Sequence, residues 1–410
     1  MHTFAPFAKP LYVMLKPVGS ACNLACQYCY YLEKELLYPN NKRSWMSEET
    51  LETFIQQYFL AQTQPYVSFT WHGGEPLLRP ISFYKKALKL QQKYGKGFYI
   101  ENSLQTNGTL LTDEWCRFFK ENNFLIGLSI DGPATVHDAY RQTLSGKGSF
   151  QKVLNGIRLL NKYGVEWNAM AVVNAQNVKD AATFYNFFKS INCHFIQFTP
   201  IVERLVPHAD GRCLASVNEQ TQTMSPLSVT PEEWGAFLCD LFDLWIKEDV
   251  GTYYIQMFDA TLANWVGQTP GLCTLSKSCG HASAMEHNGD VFACDHFVFP
   301  EYKRGNIHTQ TITEMMYSPE QLQFGKNKWQ SLPRQCKECS FLFACYGECP
   351  KNRFAIDAYG NKGLNYLCKG YKRFFAHVAP YMQFMKEQLE KELPPADVML
   401  HLNELSIKTL

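Results

Sequence analysis

The sequence predicts an α/β protein: a partial (β/α)6 TIM-like barrel followed by a C-terminal, cysteine-rich domain. Three observations carry this reading. Between residue 11 and about residue 200, short β-rich runs alternate with helical patterns, the texture of βαβ units around a parallel sheet. The chain has 410 residues, more than one ordinary core accommodates. It also has 15 cysteines, clustered rather than scattered.

The strand-like runs are 12–17, 66–71, 98–105, 125–130, 167–173 and 194–199. The first helix opens at the capping sequence Ser47-Glu48-Glu49-Thr50 and runs to about residue 61. Further helical patterns span 81–94, 112–122, 149–162 and 178–190. Six strands make an incomplete or small barrel, with its chemistry at the C-terminal strand ends. From 202 to 231 the chain turns polar, with Pro207, Gly211 and Pro226, and reads as a long surface loop. A helix resumes at Pro231-Glu232-Glu233-Trp234 and continues to about 247. The stretch 273–368 is loop-rich and cysteine-dense, as expected of a unit stapled by metal rather than by apolar packing. A helix over about 370–392 and a short polar end complete the chain. The expected division is 1–230 barrel, 231–268 helical connector, 269–370 cysteine-rich domain and 371–410 terminal helix and tail. Two cysteine groups in separate domains should assemble largely independently.

Composition narrows the function. A formal net charge of +1 leaves no electrostatic footprint for nucleic acid. No apolar run has the length of a membrane span. The start, MHTFAPFAKP, lacks the charged and apolar regions of a signal peptide, which places the protein in the cytoplasm. Reducing conditions there argue against disulfides and for thiolate ligation of metal or clusters.

The first cysteine motif is Cys22-x3-Cys26-x2-Cys29, directly after the first strand, with Tyr28 before the third cysteine. Three thiolates on one loop can hold a [4Fe–4S] cluster and leave one iron open to bind another molecule. A structural zinc site wants four ligands, and no fourth lies nearby. The segment His72-Gly73-Gly74-Glu75-Pro76 ends the second strand, where glycines let the backbone approach a ligand. Gln105-Thr106-Asn107-Gly108 ends the third strand, and Ser129-Ile130-Asp131-Gly132-Pro133 the fourth, with Arg141 after it.

Eight cysteines follow between 273 and 368: Cys273, Cys279, Cys294, Cys336, Cys339, Cys345, Cys349 and Cys368. Residues 280–294 read as a β-hairpin turning through His287-Asn288-Gly289-Asp290, with Asn-Gly suggesting a type I′ turn. Eight thiols are two complete sets of four. Spacing alone leaves zinc and iron open, and the redox-type loop upstream favours iron.

The three-cysteine loop and the Gly73-Gly74 segment resemble the radical S-adenosylmethionine (SAM) superfamily. The resemblance implies that the open iron chelates SAM, whose reductive cleavage yields a 5′-deoxyadenosyl radical. It implies SAM contacts from Tyr28, Gly73, Gly74, Glu75, Ser129 and Arg141, with Tyr31 near the substrate. The C-terminal cysteines resemble a SPASM domain, most closely that of anaerobic sulfatase-maturating enzymes. That likeness assigns one auxiliary [4Fe–4S] cluster to Cys273, Cys279, Cys294 and Cys349, and a second to Cys336, Cys339, Cys345 and Cys368. It makes Asp295 the catalytic base. The implied substrate is a Cys or Ser in an unfolded sulfatase segment resembling C/S-x-P-x-R, oxidised to Cα-formylglycine. The implied electron donor is a flavodoxin or ferredoxin. Cys116, Cys193, Cys213 and Cys239 are left as structural or incidental. Two other readings are a SPASM enzyme that cross-links ribosomal peptides and a zinc-stabilised binding module. About ten residues ahead of the first strand are too few for the leader-binding domain many peptide cross-linkers carry.

Overall fold

The computed structural model describes residues 11–38, 45–208 and 213–406. The stretch ahead of the first strand and Gly211 of the expected loop lie outside the described residues. Seven strands run in parallel in chain order: β1 Tyr12–Leu15, β2 Tyr66–Trp71, β3 Tyr99–Thr106, β4 Phe124–Ser129, β5 Trp167–Val173, β6 Phe195–Pro200 and β7 Tyr254–Ile255. All six expected strands are present. The seventh is two residues long and carries no readable period.

Helices Glu48–Ala61, Ile81–Tyr94, Asp113–Glu121, Phe150–Tyr163 and Ala181–Ser190 follow the strands and cover one face of the sheet. Ser47 caps the first, its side chain accepting from the Thr50 backbone N–H at 3.0 Å. Strand side chains alternate between faces. Val67, Phe69 and Trp71 of β2 are fully buried, and Phe69 packs edge-on against Phe54 and Tyr58 of the first helix. The opposite face of β2 carries Tyr66, Ser68 and Thr70, with Thr70 Oγ1 2.9 Å from Ser103 Oγ of β3.

The second unit is built on the barrel's own edge. Strand β8 Ala282–Met285 lies parallel to β1, with Tyr12 opposite Ala282 and Leu15 opposite Met285. Strands β9 Asp290–Phe292 and β10 Lys303–Asn306 add antiparallel, giving one sheet in the order β10-β9-β8-β1-β2-β3-β4-β5-β6-β7. Leu275, Met285, Val291, Met315 and Met316 belong to the same apolar core as the barrel. The cysteine-rich unit is therefore held by sheet pairing and apolar packing as well as by its thiols. The sequence reading missed this because strand pairing between distant segments leaves no local period.

The expected hairpin forms, but its turn differs. The Gly289 N–H donates to the Glu286 carbonyl at 2.9 Å, and Gly289 alone in the turn has positive φ, at 88°. This is a three-residue loop closing through a left-handed glycine, not a type I′ turn, which needs two successive positive φ values. Helices Ala134–Tyr140, Ile312–Met316 and Pro319–Gln330 carry no assignment in the sequence reading, while Gln256–Trp265 falls in the expected helical connector. The helix Cys368–Glu390 packs on Pro231–Trp245 through Trp234–Tyr371 and Phe242–Phe374 ring contacts. Among the described residues, no helix is long and apolar enough to cross a membrane.

Candidate active site

Cys22, Cys26 and Cys29 lie on the loop that leaves β1. The Ala25 N–H donates to Gln142 O at 2.7 Å and the Gln27 N–H to Tyr140 O at 3.0 Å, pinning this loop to the segment that carries Arg141. Burial pushes the Cys22 thiol up to about 12, with Cys26 and Cys29 adding repulsion. Burial likewise pushes Cys26 up to about 11, against the pull of Arg141. Three crowded thiols in such surroundings can ionise together only beside strong positive charge, which fits an iron cluster.

The Gly73-Gly74 segment seats directly on this loop. Gly74 N–H donates to Gly19 O at 2.7 Å and Glu75 N–H to Ala21 O at 2.8 Å. A Cβ on Gly74 would lie 2.0 Å from the Ala21 carbonyl oxygen, so only glycine fits. Glu75 is fully buried. Its carboxylate accepts from Leu77 N–H at 3.0 Å, Thr106 Oγ1 at 2.8 Å and Asn107 N–H at 2.8 Å. Glu75 thus joins two strand ends, and Asn107 reaches on to Asn23 Oδ1 at 2.8 Å. Asn107 is a site residue the sequence reading left without a role.

Arg141 is buried and forks onto Asp131, with Nε to Oδ2 at 2.9 Å and Nη2 to Oδ1 at 3.0 Å. Tyr28 donates its hydroxyl to the same carboxylate, and Val172 N–H donates to it at 2.9 Å. Ser129 is buried at the adjoining end of β4. Asp131 is therefore the hub that positions Tyr28 and Arg141.

Asp295 sits where the hairpin edge meets β1. Lys16, fully buried just past β1, places Nζ 2.6 Å from Asp295 Oδ1 and 3.0 Å from His72 Nδ1. Tyr30 donates its hydroxyl to Asp295 Oδ2 at 2.5 Å. Burial alone would raise the Asp295 carboxyl. The Lys16 ammonium outweighs burial and holds it well below the carboxylate range. Burial and Lys16 together push His72 down to about 3. Both Lys16 and the Gly73 N–H, at 2.7 Å, donate to His72 Nδ1, which agrees with a neutral ring.

Tyr31, expected near the substrate, is 2% exposed, donates its hydroxyl to Glu286 and packs its ring under Lys16. Tyr30 instead lines a cavity with Glu203, His296 and Lys351. The two rings meet edge to face, their centroids 6.0 Å apart, but their hydroxyls reach different carboxylates, which a motif match cannot resolve. Lys16 carried one signal in the sequence: a lone charge ending the apolar run Tyr12-Val13-Met14-Leu15.

The auxiliary cysteines fall into two groups. Cys349 is pushed well up by burial and feels the charges of Cys279, Cys294 and Cys273. Cys345 feels Cys368 and Cys336, and Cys368 feels Cys336 and Cys339. Cys336, Cys339, Cys345 and Cys368 ring a cavity of about 410 Å³. Four thiols around a void can hold an iron–sulfur cluster. Cys116, Cys193 and Cys239 are buried in the apolar core, and Cys213 is exposed.

Comparison with known proteins agrees with this geometry. The radical SAM superfamily model matches residues 17–188, and an iron–sulfur cluster-binding domain model, SPASM, matches 279–340. A serine-type anaerobic sulfatase-maturating enzyme of Bacteroides thetaiotaomicron is 63% identical over 99% of this chain and 98% of its own. A cysteine-type enzyme of Clostridium perfringens is 32% identical over 90% of this chain and 97% of its own. The solved structure of native anSMEcpe with bound AdoMet and Cp18Cys peptide superposes with a TM-score of 0.81 at 31% identity, covering 93% of this chain and 100% of that one. Such identity, sustained along nearly the whole of both chains, makes this protein a member of the anaerobic sulfatase-maturating enzymes, within the radical SAM superfamily.

Proposed function

We propose that this protein oxidises a serine in an unfolded sulfatase segment resembling S-x-P-x-R to Cα-formylglycine, using SAM and three [4Fe–4S] clusters. The preference for serine over cysteine rests on the 63% identity to a serine-type enzyme, against 32–33% for the cysteine-type relatives. The observation that carries the chemistry is the contact of Lys16 and Tyr30 with Asp295. It joins the strand leading into the three-cysteine loop to the residue after an auxiliary-cluster cysteine.

Cys22, Cys26 and Cys29 would hold the first cluster and leave one iron open to SAM, which would supply a 5′-deoxyadenosyl radical able to take a hydrogen atom from the serine Cβ. Tyr28, Gly73, Gly74, Glu75, Ser129 and Arg141 form the SAM site, with Asp131 and Asn107 holding it together. Asp295 accepts the hydroxyl proton as general base. Lys16 keeps that carboxylate ionised and fixed, and the Tyr30 hydroxyl holds its second oxygen. Tyr30 faces the substrate, while Tyr31 supports Lys16 from behind. The remaining electron leaves through the auxiliary sets to a carrier such as a flavodoxin or ferredoxin.

The test is anaerobic incubation of the reconstituted enzyme with SAM, a reductant and matched S-x-P-x-R and C-x-P-x-R peptides, read by mass spectrometry. The serine peptide should lose two hydrogens, faster than the cysteine peptide is converted. Iron should approach about 12 per chain. No oxidation of either peptide refutes the function; faster cysteine conversion refutes the serine preference.

A further inference from the structure

The two auxiliary ligand sets interleave along the chain, and residues 346–348 cross from Cys345 of one to Cys349 of the other. All three lie in the left-handed region: Tyr346 at φ 47°, Gly347 at 71° and Glu348 at 54°. Two of them carry a Cβ, for which this region is costly. Such a run persists only where its surroundings over-determine it. Here one side chain does so. Arg353 donates from Nη2 to Tyr346 O at 2.8 Å and Glu348 O at 3.1 Å, and from Nε to Gly347 O at 2.7 Å. The left-handed run brings three successive carbonyls within reach of one guanidinium, whose planar fork satisfies them together.

The same group reaches further. Arg353 Nη1 donates to Lys328 O at 2.6 Å, and Lys328 Nζ donates to Cys273 O and Thr274 O, both at 2.7 Å. The crossover is thereby tied to the chain at Cys273. The Arg353 charge acts on Cys349 and Cys279 of one set and on Cys336 of the other. On the other side, Glu348 accepts from Asn365 Nδ2 at 2.6 Å, and Asn365 O accepts from Cys368 N–H at 3.0 Å.

We propose that Arg353 is a positioning residue that holds the two auxiliary sets in fixed relation, and so governs passage of the substrate's electron from the Cys273 set to the Cys336 set. This rests on the reading that both sets hold [4Fe–4S] clusters. Oxidation of serine to the aldehyde breaks one Cβ–H and one O–H bond and makes the carbonyl. One hydrogen leaves as an atom to the deoxyadenosyl radical. The other leaves as a proton to Asp295, with one electron. That electron enters beside Asp295, next to Cys294, and exits to a one-electron carrier protein. The Cys336 set is the exit side, since its cavity is also lined by the exposed Tyr359 and Lys372.

The test compares full-length, reconstituted Arg353→Met and Arg353→Lys with wild type. Iron content and the EPR spectrum of the reduced auxiliary clusters read the clusters apart from turnover. Arg353→Met should keep about 12 irons and cleave SAM, and should oxidise roughly one peptide per chain in a first burst. Its steady-state formylglycine formation should then fall about tenfold or more, as expected when partners drift from their working geometry. The spin coupling between its auxiliary clusters should change, and Arg353→Lys, which keeps the charge but loses the fork, should fall between. Wild-type EPR and turnover in Arg353→Met overturn the proposal. If Arg353→Met loses iron, Arg353→Lys decides: iron loss there too, or full iron with unchanged EPR and turnover, overturns it. Failure of the underlying reading shows separately, as fewer than about 12 irons in the wild type.

Discussion

Replacing Asp295 by Asn removes the proposed base, and it also strands a charge. Lys16 is completely buried, and its ammonium has the Asp295 carboxylate 2.6 Å away. Removing one partner of a buried ion pair costs about 3–5 kcal/mol. The Asp295 side chain keeps 15% exposure, so the lower end, about 3 kcal/mol, applies here. At about 2.1 cal/mol/K per residue, 410 residues give roughly 1.2 °C per kcal/mol, so the unfolding midpoint should fall by roughly 3–4 °C. The sign with pH follows from the depressed carboxyl. The pair's contribution is complete above the unfolded aspartate value of about 3.9 and is lost only as pH falls below it. Measurements near neutral pH therefore see the whole effect. The double variant Lys16→Met, Asp295→Asn removes both charges and should recover most of the lost stability, since apolar replacement of a buried pair is close to neutral. It should not recover chemistry: formylglycine falls about 100-fold or more in both variants, while 5′-deoxyadenosine still forms. Anaerobic thermal unfolding, with peptide mass and 5′-deoxyadenosine followed in the same reaction, checks both halves. An Asp295→Asn protein as stable as wild type, or a double variant no more stable than the single, would refute the ion-pair argument. Near-wild-type formylglycine in Asp295→Asn would remove it as the base.

Gly74→Ala puts a methyl group 2.0 Å from the Ala21 carbonyl oxygen, and because the obstacle is backbone, the cysteine loop must shift. SAM cleavage should be lost and iron should fall by about four per chain, with the auxiliary clusters retained; normal 5′-deoxyadenosine yield would contradict the seating described. His72 is held neutral, pushed down to about 3 by burial and Lys16, so stability should decline as pH falls from about 6.5 towards 3, by at most about 1.4 kcal/mol per unit. His72→Gln should flatten that part of the stability profile, and an unchanged slope would show that another group titrates there. Cys368→Ala should lower iron and solubility together, because metal binding in this loop-rich segment is coupled to folding; a soluble, fully active variant would contradict the eight-ligand assignment.

Much of this protein was legible before any coordinates. The six barrel strands, their covering helices, the three-cysteine loop and the two sets of four thiols are written in local period and spacing. Burial alternation on a strand and the geometry of thiolate ligation both leave short-range traces. Asp295 was singled out by the family resemblance, through its place after Cys294, and the family's chemistry was implied by the same motifs. Contacts between segments far apart in the chain were not legible. The pairing of β8 with β1 spans some 270 residues and merges two units that composition had separated. It also delivers Asp295 to Lys16, a contact between positions 279 apart whose only trace in sequence was one lysine after an apolar run. Tyr30 and Tyr31 are neighbours with the same side chain, and which one meets Asp295 depends on how the chain turns into a short helix. The left-handed crossover at 346–348 is set by a guanidinium that local propensity opposes rather than predicts. Local propensity therefore determined the fold class, and the family resemblance carried by the cysteine motifs implied the cofactors and the reaction. The partners of each charge were decided only by tertiary structure, because burial makes an ion's energy depend on what the whole fold places beside it.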